Sequence, residues 1–147
     1  MARSSLFLFL TLLSSAVSGC VETTLDASYP TMAEAISAGA VSRGWIPAWL
    51  PKHSTNLREV HDLDSNESAL VFQFSDRADW PPSNQCHPEE FAGITPPRLE
   101  RPWWPSVSEL ETSYVFYSCF ADPSPASVFV GVHKSERRAV HWRVNTR

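Results

Sequence analysis

The chain has 147 residues, 43% of them hydrophobic, with 12 Lys+Arg against 16 Asp+Glu and a formal net charge of −4. That is one domain's worth of chain, with enough apolar mass for a single core and too little net charge for a disordered segment. Large multidomain enzymes, coiled coils and polytopic membrane proteins are excluded, and five glycines against twelve prolines exclude a flexible linker or a collagen-like repeat.

The first twenty residues carry an address. Met1-Ala2-Arg3 is a short positive start, Leu6 to Leu13 is an apolar run broken only by Thr11, and small residues follow up to Gly19. This is the three-part order of a secretory signal, with a run too short for a spanning helix, which needs about 20 apolar residues. Val17-Ser18-Gly19-Cys20 resembles the lipobox of bacterial lipoproteins. The resemblance implies that Cys20 becomes the acylated first residue of the mature chain; ordinary cleavage after Ser18 and a chance cysteine are the alternatives. Two or three acyl chains anchor a protein essentially permanently. With Val21 rather than Asp in second position, the enterobacterial sorting pattern implies the outer membrane.

Val21 to Tyr29 reads as a short polar tether. Pro30-Thr31 opens an expected helix, where Thr31 and Glu34 fit a capping box and Met32, Ala35, Ile36, Ala40 and Val41 form a stripe that stops at Gly44. The segment 44–51 holds Trp45, Trp49 and two prolines, and is expected to fold back as a packed turn. Leu57–Leu63 and Ala69–Ser75 read as paired strands around Asp64-Ser65-Asn66-Glu67. From Arg77 to Pro105 the proline density excludes regular elements, so a long ordered loop is expected, functional or covering the sheet. Three strands follow, at Ser113–Ala121, Ser127–His133 and Ala139–Val144, with turns at 122–125 and 134–137. The expected fold is therefore α+β: one N-terminal helix packed on an antiparallel sheet of about five strands. The expected organisation is a signal peptide over 1–19, lipidated cysteine and tether over 20–29, and a single head domain over 30–147.

Three cysteines are an awkward number for an oxidising compartment. With Cys20 given to lipid, Cys86 and Cys119 remain, and a pair in an exported domain reads as a disulfide. It would close a loop of about 33 residues and contribute about 3–4 kcal/mol in the chain-entropy model. Two separate buried thiols are the alternative.

Several stretches together resemble a family of uncharacterised bacterial lipoproteins with a YbbD-type head domain. They are Tyr29-Pro30, Gly44-Trp45-Ile46-Pro47, Leu50-Pro51, the run Glu59-Val60-His61-Asp62-Leu63-Asp64-Ser65-Asn66-Glu67, Phe72 with Phe74, Pro102-Trp103-Trp104-Pro105, and Trp142. The resemblance implies the fold and an envelope location. It implies no activity.

Among polar constellations, Glu59, His61 and Asp64 stand out. Glu59 and His61 share a face on a strand, where a carboxylate beside an imidazole makes an acid/base pair. The competing reading is a hairpin whose Asp and Asn set the turn while its charges stay solvated. His133 and His141 could face each other across the last hairpin, but the histidines lack zinc-ligand spacing, and the run from Asp62 lacks the Gly and Glu that an EF-hand requires. No Gly-rich phosphate loop, Gly-x-Ser-x-Gly elbow or Cys-x-x-Cys is present. No metal and no cofactor are expected. Trp103-Trp104 is the candidate binding surface, with burial in the core as its alternative. The acidic body excludes nucleic acid as a general partner, and the basic run Lys134, Arg137, Arg138, Arg143, Arg147 either meets lipid headgroups or an anionic partner, or pairs with the protein's own acids or stays solvated.

The function expected from the sequence is a lipid-anchored protein of the bacterial envelope, without recognisable catalytic machinery, that binds a protein, peptide or glycan partner. The alternatives are a small hydrolase or metal-dependent enzyme using Glu59, His61 and Asp64, and a passive structural envelope component.

Overall fold

A computed structural model describes residues 23–75, 80–120 and 126–145. The signal segment, Cys20, the expected turn over 122–125 and Arg147 lie outside these residues. The chain forms β1 (Thr24–Thr31), α1 (Met32–Ser37), β2 (Thr55–Asp62), β3 (Ser68–Gln73), β4 (Cys86–Glu89), a short 3-10 turn (Phe91–Gly93), α2 (Val107–Ser113), β5 (Tyr114–Cys119), β6 (Ala126–His133) and β7 (Arg138–Asn145). All seven strands join one antiparallel sheet in the order β1-β2-β3-β7-β6-β5-β4.

This overturns the expected α+β fold with about five strands: the domain is mostly antiparallel β, with few helical residues. The two unexpected strands are the two edges of the sheet. β1 lies in the stretch read as a tether, and β4 in the stretch read as a proline-rich loop. Each carries a proline, Pro30 and Pro88, which an edge strand tolerates because its outer N–H groups have no ladder partner to lose. β1 also buries no residue fully, so it shows no apolar alternation.

α1 is shorter than expected. Thr31 does cap it, accepting from the Glu34 N–H at 3.2 Å while its hydroxyl donates to the Glu34 carboxylate at 3.1 Å. The helix then ends at Ser37 because Gly39 takes a φ of +77°, a conformation glycine alone adopts without strain. Gly44, at +79°, ends the following turn instead. α2 follows the proline-rich stretch, over residues expected to hold no element and ending on Ser113, the expected start of a strand, yet Ser106-x-x-Glu109 repeats the same capping pattern, with the Glu109 N–H donating to the Ser106 hydroxyl.

Alternation along the strands sorts the core into two clusters on opposite faces. Leu57, Leu70, Phe72, Val128, Val130, Val132 and Ala139 face one side, covered by α1, the 40–50 segment and Trp80. Val60, Ala69, Val71, Phe116, Phe129, Val140, Trp142 and Val144 face the other, covered by Phe91, Ile94, Leu99, Trp103, Trp104 and Leu110. Residues 91–104 of the proline-rich stretch are thus the lid of the second face. They are held by Arg98 on Glu67 (3.0 Å), by Arg101 on Asp26 (2.8 and 2.9 Å) and by the Trp142 indole N–H, which donates to the Thr95 carbonyl at 2.7 Å. Packing within the sheet is tight at Gly131, where a Cβ would come within 2.8 Å of Val140 and 2.9 Å of Phe116. Cys86 and Cys119 stand opposite each other in the β4–β5 ladder and form a disulfide.

Candidate functional site

The β2–β3 hairpin begins with its turn. The Asp62 carboxylate accepts from the N–H groups of Ser65 (2.7 Å) and Asp64 (3.1 Å) and from the hydroxyls of Thr23 and Thr24. These bonds, the Ser65 backbone foremost, hold its carboxyl well below the usual range. Asn66 takes a positive φ of 55°, which asparagine tolerates. Asp64 is exposed in this turn and makes no hydrogen bond to His61. Glu67 is buried and accepts from Arg98 and from the Asn145 N–H, tying the lid and β7 to the hairpin. Half of the polar run around Asp64 therefore builds the turn.

Glu59 and His61 are different. Both point to the first face and both are buried, at 1% and 4% exposure. The His61 Nδ1 lies 3.0 and 3.1 Å from the two Glu59 carboxylate oxygens. Burial raises the Glu59 pKa, against the hydrogen bond from His61, which lowers it. The Trp45 ring stacks on the imidazole at 3.8 Å and 18°. The His61 Nε2 is buried and has no hydrogen-bond partner among the described residues.

Strand register adds groups that the sequence did not single out together. His61 pairs with Ser68 across β2–β3, and Ser68 pairs with Arg143 across β3–β7. Directly opposed residues share a face, so imidazole, hydroxyl and guanidinium form one row across three strands. His141 is the next residue on that face of β7, and Trp49 meets it edge-on at 5.6 Å. Burial first, and then the charge of Arg143, lower the His141 pKa to about 3, so the ring is neutral. Ser68, His141 and Arg143 line a cavity of about 160 Å³ with Gly44, Pro47 and Trp49. His141 does not face His133: it opposes Val130, while His133 opposes Tyr114 and accepts from the N–H groups of Ser135 and Glu136. Among the described residues, no group of three His, Cys, Asp or Glu side chains converges as metal ligands do.

Trp103 and Trp104 are both half-buried and packed against the second-face core. Trp104 is the more committed, meeting the buried Trp142 edge-on at 5.8 Å. Trp103 forms one wall of a groove of about 370 Å³ whose other lining includes Ser28, Pro30, Asn56 and Arg58. Both indoles therefore close the core and border solvent, Trp104 along a cleft of about 210 Å³ with Pro97, Arg101 and Val107.

Comparison with curated proteins returned no match, and neither did comparison with solved structures. Residues 23–73 match the family model of the YbbD head domain. That stretch, about a third of the chain, runs from β1 to the end of β3 and includes Glu59, His61 and Ser68; over it the chain is similar to the YbbD head domain.

Proposed function

We propose that this is a lipid-anchored protein of the bacterial envelope, held at the membrane through acylated Cys20, whose head domain binds an extended polar partner, a peptide or a glycan chain. The anchor rests on the lipobox-like Val17-Ser18-Gly19-Cys20. No helix of the described residues is long and apolar enough to cross a membrane. Val21 after the cysteine supports the outer membrane. β1 begins four residues after Cys20, so an acylated chain would hold this sheet edge within about 14 Å of the lipid surface.

The observation that carries the binding reading is the Trp103 groove. An indole face beside the exposed Ser28, Asn56 and Arg58 offers a ring to stack on and hydroxyl, amide and guanidinium groups to bond with. The alternative enzyme built on Glu59, His61 and Asp64 lacks its third member, because Asp64 stays in the exposed turn.

Trp103→Ala is expected to leave the far-UV spectrum unchanged and to abolish co-sedimentation of the full chain with purified peptidoglycan or cross-linking to envelope proteins. Unchanged capture by the variant removes the groove. Intact mass spectrometry of the membrane fraction checks the anchor separately: the expected species starts at acylated Cys20, and an unacylated soluble chain starting at Gly19 removes it.

A further inference from the structure

Leu70, Phe72, Val130 and Ala139 fill the first face of β3, β6 and β7 with hydrocarbon. At one end of the same three strands the chemistry changes. Ser68 stands opposite Arg143, and Arg143 opposite Val128, so the three form one row across β3, β7 and β6. His141 lies two residues before Arg143 and therefore on the same face. Ser68 and His141 are buried, at 8% and 5% exposure. The His141 Nδ1 is buried with no hydrogen-bond partner among the described residues. Buried polar groups cost free energy unless they are bonded, so packing alone gains nothing from an imidazole there.

Ser68, His141 and Arg143 line one cavity of about 160 Å³, with Trp49, Phe120 and Val128 among its other walls. Trp49 is itself fixed, meeting His141 edge-on at 5.6 Å and stacking on Trp80 at 6.2 Å. Phe120 is 69% exposed, so that wall reaches solvent and gives a ligand a way in. A cavity of about 150 Å³ holds benzene, so this one suits a ligand of about six heavy atoms. Its lining divides by chemistry. Arg143 brings positive charge, and burial together with that charge keeps the His141 ring neutral. A guanidinium carries five N–H donors in a fork that matches a carboxylate, and it serves more than one partner. The Ser68 hydroxyl and the neutral imidazole add hydrogen-bonding groups without adding charge. Trp49, Phe120 and Val128 offer apolar surface to a short hydrocarbon body. One cation with two neutral polar groups matches a monoanion better than a phosphate dianion.

We propose that this cavity binds a small aliphatic monocarboxylate. Arg143 and Ser68 hold the carboxylate, His141 lies beside it, and the hydrocarbon end rests against Trp49 and Phe120. His61 takes no part, since it does not line the cavity. The site shares no lining residue with the Trp103 groove and does not depend on it.

The test titrates the purified full chain with sodium butyrate, following the His141 imidazole and the Trp49 indole by NMR and the heat by calorimetry. The expected result is one saturable site with a Kd of about 1 mM or tighter, with both resonances moving together. 1-Butanol, which lacks the charge, is expected to bind at least roughly tenfold more weakly. Inorganic phosphate is expected to leave both resonances in place. Arg143→Gln is expected to lower the affinity for butyrate by roughly 10–100-fold, and Ser68→Ala by roughly 2–10-fold. Phe120→Ala changes an exposed position; it should keep the wild-type near-UV spectrum and weaken butyrate by roughly fivefold. A folded wild-type chain without a saturable shift overturns the proposal, as does affinity undiminished in both Arg143→Gln and Phe120→Ala. Phosphate or butanol binding as tightly as butyrate overturns the monocarboxylate assignment. If Arg143→Gln loses its near-UV spectrum, the wild-type preference for butyrate and the Phe120→Ala affinity decide the question alone.

Discussion

His141 shows how one buried side chain couples this fold to pH. Its folded pKa of about 3 lies below the ordinary value of 6.5, because burial and the Arg143 charge both oppose protonation. Between these values the unfolded chain binds a proton that the folded chain refuses. Stability is therefore intact above pH 6.5 and falls as pH drops toward 3, by about 2–3 kcal/mol between pH 6.5 and 4.5 at about 1.4 kcal/mol per unit. Glu59 acts with the opposite sign. Its raised pKa means that the folded state holds a proton the unfolded state releases, so its term favours folding as pH falls through the window above 4.5. Asp62, held low, loses its contribution only below 3.8. Urea unfolding at pH 6.5 and 4.5 separates them: His141→Gln should show a smaller acid loss than wild type by about 2 kcal/mol, and an equal loss in both proteins would show that the His141 ring is not the coupled group. At this scale the sequence was half legible. Glu59 and His61 are two residues apart, so strand alternation alone puts them on one face. Ser68, His141 and Arg143 join them only through the register of two strand pairs, and register depends on turn length and on which strands are neighbours.

Elements with strong local signals were readable, and elements defined by their place in the sheet were not. The β2–β3 hairpin and the β5–β6–β7 meander announce themselves through alternation and β-branched residues such as Val128, Val130 and Val132. β1 and β4 are strands because a neighbour offers them a ladder, which Pro30 and Pro88 do not prevent at an edge. Edge strands are also a hazard, since unpaired backbone groups template aggregation. β4 is short, four residues, and the Cys86–Cys119 disulfide ties it to β5. Cys86→Ala/Cys119→Ala should lower stability by about 3–4 kcal/mol, the chain-entropy value for this loop. Hydrogen exchange should locate the loss, with the amides of residues 86–89 losing protection before those of β6 and β7. Uniform loss across the sheet would mean that the bond supports the whole core and not the edge.

At the scale of the whole molecule, the sheet is two meanders, β1–β2–β3 and β7–β6–β5–β4, fused along the single seam between β3 and β7. The family match ends at residue 73, the last residue of β3, so its limit falls on that seam. A match boundary need not be a folding boundary, and the packing argues that here it is not. Leu70 and Phe72 of β3 share one face and one cluster with Val130 and Ala139, while Val60, Ala69 and Val71 share the other with Phe129, Val140 and Trp142. Cutting at the seam would expose both sets and strip β3 of half its ladder. The three remaining strands would keep α1 and the Trp45–Trp49 segment over one face and nothing over the other, because the lid of the second face comes from residues 91–110. A three-stranded sheet is near the lower limit for independent stability even with a buried face. The fragment 23–75 is therefore expected to be unfolded in isolation, without near-UV ellipticity or dispersed amide resonances, and mixing it with a fragment spanning 80–147 should restore both signals. A well-dispersed spectrum from 23–75 alone would show that the matched head folds as its own unit, and the row of Glu59, His61 and Ser68 would then have to form without Arg143 and His141.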